Sequence, residues 1–189
     1  MRLPACFLSI LLLGAPLAAG TPTFTPDTNH TFFGFKASTL LFDVPGRFDS
    51  YKLAIQGDPE NLSHVSIRVD IAADSIETHN ALRDSHLRSS EFFDVAKFPE
   101  IVFTSDRAWR EGDKVVVQGT LTLHGVSKQV QIPFTEVHGR NGAGNLTYAY
   151  RASLRLNRND FGLGSESVAA KISLKDEVTL NLMLVGFFH

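Results

Sequence analysis

The feature that most constrains this chain is a period-two alternation of apolar and polar residues. Such alternation is typical of β-strands with one buried face. The longest alternating stretch spans residues 146–156, and shorter ones recur along the chain. We predict about eight strands. Their apolar sets are Phe33 and Phe35; Phe48, Leu53 and Ile55; Val65 to Ile71; Ile101 and Phe103; Val115 to Leu123; Val130 to Phe134; Leu146 to Leu156; and Val178 to Leu184.

Short segments rich in turn-forming residues separate these strands. Residues 58–61 and 111–113 favour tight hairpins, and residues 141–144 favour a looser connection. Residues 78–90 depart from the alternation. Scattered apolar positions there, with Thr78 available as an N-terminal cap, predict a single short helix.

An all-antiparallel set of strands closes as a sandwich or as a barrel. Residues 146–156 would extend over ~36 Å at about 3.3 Å per residue, whereas typical strands have about five or six residues. We therefore predict an all-β, eight-stranded antiparallel barrel. Side chains can fill a barrel of this size, or it can hold one slender ligand, and the composition does not decide between these.

The first twenty residues form a separate unit. Arg2 precedes an apolar run over residues 7–13, and small residues at 18–20 offer a cleavage site. This order is typical of a secretory signal peptide, and the run is shorter than the ~20 residues of a transmembrane helix. We predict a signal peptide over 1–20, one exported domain over 21–189, and no integral membrane segment after cleavage.

Charge and motifs argue against several function classes. A formal net charge of −2 provides no basic field for nucleic acid. The seven histidines lack the spacing of metal ligands, although His79 and His86 lie seven residues apart on the predicted helix. The sequence also contains no G-x-S-x-G motif and no Gly-rich phosphate loop. We expect no nucleic-acid partner, no catalytic residue, no metal and no cofactor.

Seven short strings occur in a fixed order along the chain. They are Asp27-x-x-His30; Gly46-Arg47-Phe48; Asp74-Ser75-Ile76-Glu77-Thr78; Arg83-Asp84-x-His86-Leu87-x-Ser89-x-Glu91-Phe92-Phe93-Asp94-Val95; Phe98-Pro99-x-Ile101-x-Phe103-x-Ser105; Gly119-x-Leu121-Thr122-Leu123-His124-Gly125-Val126-x-Lys128; and Asn157-Arg158-x-Asp160-Phe161-Gly162. Each string is weak alone, but the ordered set is specific. Over nearly all of residues 23–188 it resembles the YceI-like family, the periplasmic polyisoprenoid-binding proteins.

The resemblance implies an extended lipocalin-like barrel, with a helix near one end, located in the periplasm. It also implies a long apolar ligand, such as a polyisoprenoid, an isoprenoid quinone or a similar lipid, and neither catalysis nor a metal. Family members often carry a second histidine late in the first long strand, where this chain has residues 35–40 (FKASTL). A fatty acid or fatty amide therefore remains an alternative ligand. A lipid-modifying enzyme without a recognisable motif, a rigid module that binds a partner through its outer face, and a homodimer also stay open.

On this interpretation, inward-facing apolar side chains hold the ligand. The predicted set is Phe33, Phe35, Phe48, Phe93, Phe103, Leu121, Leu123, Phe134, Leu154 and Phe161. The candidates for binding a head group are His30, His124, Arg158 and Asp160, for which a structural network at strand ends is the favoured alternative. Phe92, Phe93 and Phe98 around Pro99 either plug one barrel end, which we favour, or line the ligand's entry.

Overall fold

The computed structural model describes residues 20–189. The predicted signal peptide, apart from Gly20, lies outside the described residues. Within residues 20–189, two helices, α1 (Ala81–Arg88) and α2 (Val168–Ser173), accompany eleven strands in one sheet. The strands are β1 (Phe24–Pro26), β2 (Phe32–Thr39), β3 (Asp43–Phe48), β4 (Tyr51–Gln56), β5 (Ser66–Ala72), β6 (Ile76–Glu77), β7 (Glu100–Glu111), β8 (Lys114–Leu123), β9 (Val126–Arg140), β10 (Leu146–Asn157) and β11 (Leu174–Phe188).

Strand pairing follows a ring that closes on itself. The hydrogen-bonded order is β4-β5-β7-β8-β9-β10-β11-β2-β3-β6, and β1 pairs with β11. A bend at residues 49–50 divides one long strand into β3 and β4, and a 3₁₀ turn at Ala73–Ser75 divides its neighbour into β5 and β6. Because β3 pairs with β6 while β4 pairs with β5, the two ends of the order meet. With each bent strand counted once and β1 set aside, the ring has eight antiparallel strands, which confirms the predicted barrel.

The alternation decides which side chains face the barrel interior. Val115 and Val117 of β8 lie opposite Phe134 and Ile132 of β9, and all four are buried. The hairpin between these strands turns on His124 and Gly125, with φ of 52° and 73°. Two consecutive positive φ values give the two-residue turn that matches the twist of paired strands.

The helices differ in part from the prediction. Helix α1 lies within the predicted range 78–90, but Asn80, not Thr78, caps it by accepting a hydrogen bond from Arg83 N at 3.0 Å. Helix α2 was not predicted, because its six residues are too few to show a helical period. Within residues 20–189, neither helix is long and apolar enough to cross a membrane.

A register shift interrupts the pairing of β7 with β8. Their register shifts between Ser105 and Arg107, and Gly119 lies opposite Ser105. A Cβ atom on Gly119 would lie 2.3 Å from the carbonyl oxygen of Thr104. This contact is with backbone, so a larger residue at position 119 requires the two strands to move apart.

We expect Gly119→Ala to lower the free energy of unfolding by about 1–3 kcal/mol, because overpacking forces a backbone shift. Gly139→Ala in β9 is the matched control, since a Cβ atom there meets nothing within 4 Å, and its effect should stay within about 0.5 kcal/mol. Urea denaturation of both variants measures the difference. Equal stability of the two variants would contradict the close approach.

Candidate functional site

A cavity of about 190 Å³ lies inside the barrel. Strands all around the ring supply its wall, which consists of Phe, Leu, Ile, Val, Ala and Gly residues apart from Arg158. A buried water needs about two to four polar partners, and this wall offers them only near one guanidinium group. The cavity is therefore better suited to apolar groups than to ordered water.

The structure places all ten predicted apolar site residues on the wall of this one cavity. Eight of them lie on β2, β3, β7, β8, β9 and β10, where every second side chain faces the barrel interior. The other two lie in connecting segments. The ten residues are Phe33, Phe35, Phe48, Phe93, Phe103, Leu121, Leu123, Phe134, Leu154 and Phe161.

The contribution of β11 to the wall was missing from the predicted site. Val178, Leu180, Leu182 and Leu184 all line the cavity. Their alternation was visible in the sequence and could have identified them. Leu163 also lines the cavity, but it follows a 3₁₀ turn in an irregular segment that has no periodic signal.

The segment after α1 covers one end of the cavity with aromatic side chains. Phe92 is buried and Phe93 is half-buried, and both line the cavity. The Phe93 ring lies 5.8 Å from that of Phe48. Phe98 packs instead against His124, with 4.7 Å between ring centroids. Phe92 and Phe93 thus act as an end cover, while Phe98 supports the β8–β9 turn.

A buried carboxylate anchors α1 and this cover to the barrel. Asp84 is 3% exposed and accepts hydrogen bonds from the backbone N and the hydroxyl of Thr78, at 3.0 and 2.5 Å. Arg83 Nε donates to the same Thr78 hydroxyl at 2.7 Å. Arg88 donates to the carbonyl oxygens of Asp74 and Ile76, each at 2.6 Å. The helix is therefore held by polar contacts, whereas its cavity side is apolar.

Arg158 joins the irregular segments at the same end. The residue is 6% exposed, and its Nη1 donates to Leu163 O at 2.9 Å. Its Nε donates to Lys175 O at 3.2 Å, and its Nη2 lies 3.0 Å from Asp176 Oδ1. Longer contacts at 3.5 Å reach the carbonyl oxygens of Ala170 and Leu174. This geometry is that of a structural network at strand ends.

The other head-group candidates lie outside the cavity wall. His124 Nδ1 donates to Phe161 O at 3.0 Å, and the exposed Asp160 faces Lys128 at 3.4 Å, so both lie near Arg158 in the fold. His30 lies in the turn before β2, where its Nδ1 is 2.7 Å from Asp27 Oδ2. That hydrogen bond lowers the pKa of Asp27 below its ordinary value. The structure thus groups three of the four candidates and leaves His30 apart.

The charged side chains near α1 form pairs. His86 Nε2 lies 3.0 Å from Glu91 Oε2, and this hydrogen bond is the main reason that the pKa of Glu91 is lowered. His79 faces Glu77 at 3.4 Å. Among residues 20–189, no group of three or more His, Cys, Asp or Glu side chains is placed to hold a metal ion.

Comparison with known proteins assigns the family. The YceI-like domain family matches residues 24–185. The chain belongs to the YceI-like family. Protein YceI of Salmonella agona is 31% identical to it over 162 residues, with 85% of each chain covered. A UPF0312 protein of Vibrio vulnificus is 32% identical over 158 residues, which cover 81% of this chain and 84% of the relative.

Solved structures share the fold of this YceI-like chain. BcnA of Burkholderia cenocepacia has a TM-score of 0.76 at 23% identity, over 85% of this chain and 99% of BcnA. A YceI protein of Campylobacter jejuni has a TM-score of 0.67 at 26% identity, over 77% of this chain and 85% of its own. A polyisoprenoid-binding domain of Saccharophagus degradans, implicated in plant cell wall breakdown, has a TM-score of 0.62 at 19% identity, over 88% of this chain and 97% of that domain.

We expect Arg158→Met to lower the free energy of unfolding by roughly 1–3 kcal/mol, because buried carbonyl oxygens lose their donors. Arg155→Met in β10 is the matched control: its side chain is 73% exposed and contacts Glu177 at 3.4 Å. Its effect should stay within about 0.5 kcal/mol. Thermal unfolding checks both variants, and equal effects would refute the structural role of Arg158.

Proposed function

We propose that this YceI-like chain is a carrier that binds a long-chain apolar amphiphile inside its barrel. The observation that carries the proposal is the cavity of about 190 Å³ with a wall that is apolar except at Arg158. A similar solved structure is that of a polyisoprenoid-binding domain. A polyisoprenoid or an isoprenoid quinone is therefore the ligand class that we favour, with a fatty acid or fatty amide as the alternative.

Burial of the ligand's apolar chain provides the binding energy. Removing apolar surface from water is worth roughly 25 cal/mol per Å², or about 0.8 kcal/mol per methylene. The ordering of ligand and side chains reduces this gain. Because an apolar wall distinguishes ligands that differ by one methylene only weakly, we expect selectivity for a class of chains and not for one compound.

The distribution of polar groups orients the ligand. Burying a polar head group without a hydrogen-bond partner costs about 1–3 kcal/mol or more. Within the described chain, Arg158 is the only polar residue on the cavity wall, and His124 and Asp160 lie outside the wall near it. We place the head group at this end of the barrel and the apolar chain in the interior.

The same wall favours binding over catalysis. Among the described residues, it contains no carboxylate, imidazole or hydroxyl group. General acid–base catalysis needs such a group within hydrogen-bonding reach of the reacting atom. A lipid-modifying enzyme is therefore the weaker interpretation, and a rigid module without a ligand does not account for the cavity.

Native mass spectrometry of the protein from its own host, followed by lipid extraction, tests the proposal. We expect one amphiphile with a long apolar chain at stoichiometric amount. Recovery of no amphiphile, together with no uptake of added prenyl lipid, would refute the carrier function.

A substitution pair tests whether the barrel interior is the site. Leu154 lines the cavity, whereas its neighbour Ser153 is exposed on the outer face of β10. We expect Leu154→Trp to fill the cavity and weaken prenyl-lipid binding at least about tenfold, or ~1.4 kcal/mol. Ser153→Trp should leave affinity unchanged. Fluorescence titration measures both, and equal affinities would place the ligand elsewhere.

We also propose that residues 1–20 direct the protein to the periplasm. The supporting observation is the order of the charged, apolar and small residues in this segment. Cell fractionation and intact mass of the mature protein test this. We expect a periplasmic chain that begins near Thr21, and a full-length cytoplasmic chain would refute export.

A further inference from the structure

The barrel contains a second, smaller cavity of about 40 Å³. It lies towards the end of the barrel opposite α1, because Pro59, Leu62 and Val65 of the β4–β5 connection and Phe188 at the end of β11 line it. Ala108 and Tyr150 also line it.

Four side chains line both cavities and therefore stand between them. These partition residues are Ile67, Val117, Phe134 and Leu184. Phe134 is the largest of them and is 6% exposed. Its ring meets that of Tyr150 edge-to-face with 6.5 Å between centroids. An apolar ligand chain that enters the main cavity from the α1 end thus meets the Phe134 ring before it can reach the small cavity.

Aromatic side chains pack together on the far side of the small cavity. Phe188 contacts Phe24 and Tyr148, with ring centroids 5.1 and 5.4 Å apart. Both Phe24 and Tyr148 are buried. The main cavity and the small cavity consequently lie one behind the other along the barrel, with the partition residues between them.

We propose that the partition at Phe134 sets the length of apolar chain that the protein accepts. This inference rests on the proposed function, since it assigns a specificity-determining residue to the same cavity. A chain short enough to end before Phe134 is fully buried. A longer chain must displace the aromatic ring or leave its excess length in water, so additional carbons contribute little affinity.

The test uses the prenols geraniol, farnesol and geranylgeraniol, together with longer homologues. Each buried methylene increases affinity about fourfold. For the unmodified protein, we expect affinity to rise with chain length and then level off. Phe134→Leu opens the partition while it keeps an apolar side chain. We expect this variant to level off at a longer prenol, which it binds at least about tenfold more tightly than the unmodified protein does.

Ala108→Leu is the matched control, because Ala108 lines only the small cavity. Alone, Ala108→Leu should leave unchanged the chain length at which affinity levels off. Combined with Phe134→Leu, it should restore the shorter chain length at which the unmodified protein levels off. Melting curves establish that each variant is folded.

The outcomes separate this inference from the proposed function. If the unmodified protein binds prenols but Phe134→Leu does not move the limit, the partition is refuted and the carrier function stands. A shorter limit for Ala108→Leu alone would also refute the partition, because the chain would already occupy the small cavity. If the unmodified protein binds no prenol, both proposals fail.

Discussion

Closure of the strand ring is the constraint on which the rest of the structure depends. A closed sheet has no unpaired edge, and the pleat places every second side chain inside. The chain closes the ring by bending two neighbouring strands, at residues 49–50 and at Ala73–Ser75, so that β3–β4 pairs with β6–β5. The diameter of a barrel follows its strand number. The inward side chains of this barrel do not fill that space, and the cavity of about 190 Å³ is what remains.

Different interactions stabilise the two ends of the barrel. Aromatic contacts among Phe24, Tyr148 and Phe188 lie at one end. At the other end, polar networks centred on Asp84 and Arg158 hold short irregular segments against the wall. Hydrogen bonds of this kind are directional and fix the course of segments that have no strand pairing.

The period of two predicted most of the barrel and much of its wall. The ten predicted residues all line one cavity, and eight of them lie on strands, where parity decides facing before any partner strand is known. Prediction failed where local patterns are short or ambiguous. Thr78 and Asn80 are both acceptable caps, but in the fold the Thr78 hydroxyl bonds the side chains of Asp84 and Arg83, and Asn80 accepts from the helix. Helix α2 has six residues, fewer than two helical turns.

The sequence by itself determined which residues share a face, because side-chain parity is a local property of an extended backbone. It also determined the family, through ordered motifs that do not depend on contacts. Only the tertiary structure decided whether the inward side chains meet or enclose space, since that depends on barrel radius and on side chains from distant strands. The role of Arg158 was decided in the same way: one of its acceptors, Asp176, is 18 residues away, and only the folded chain brings it within 3.0 Å.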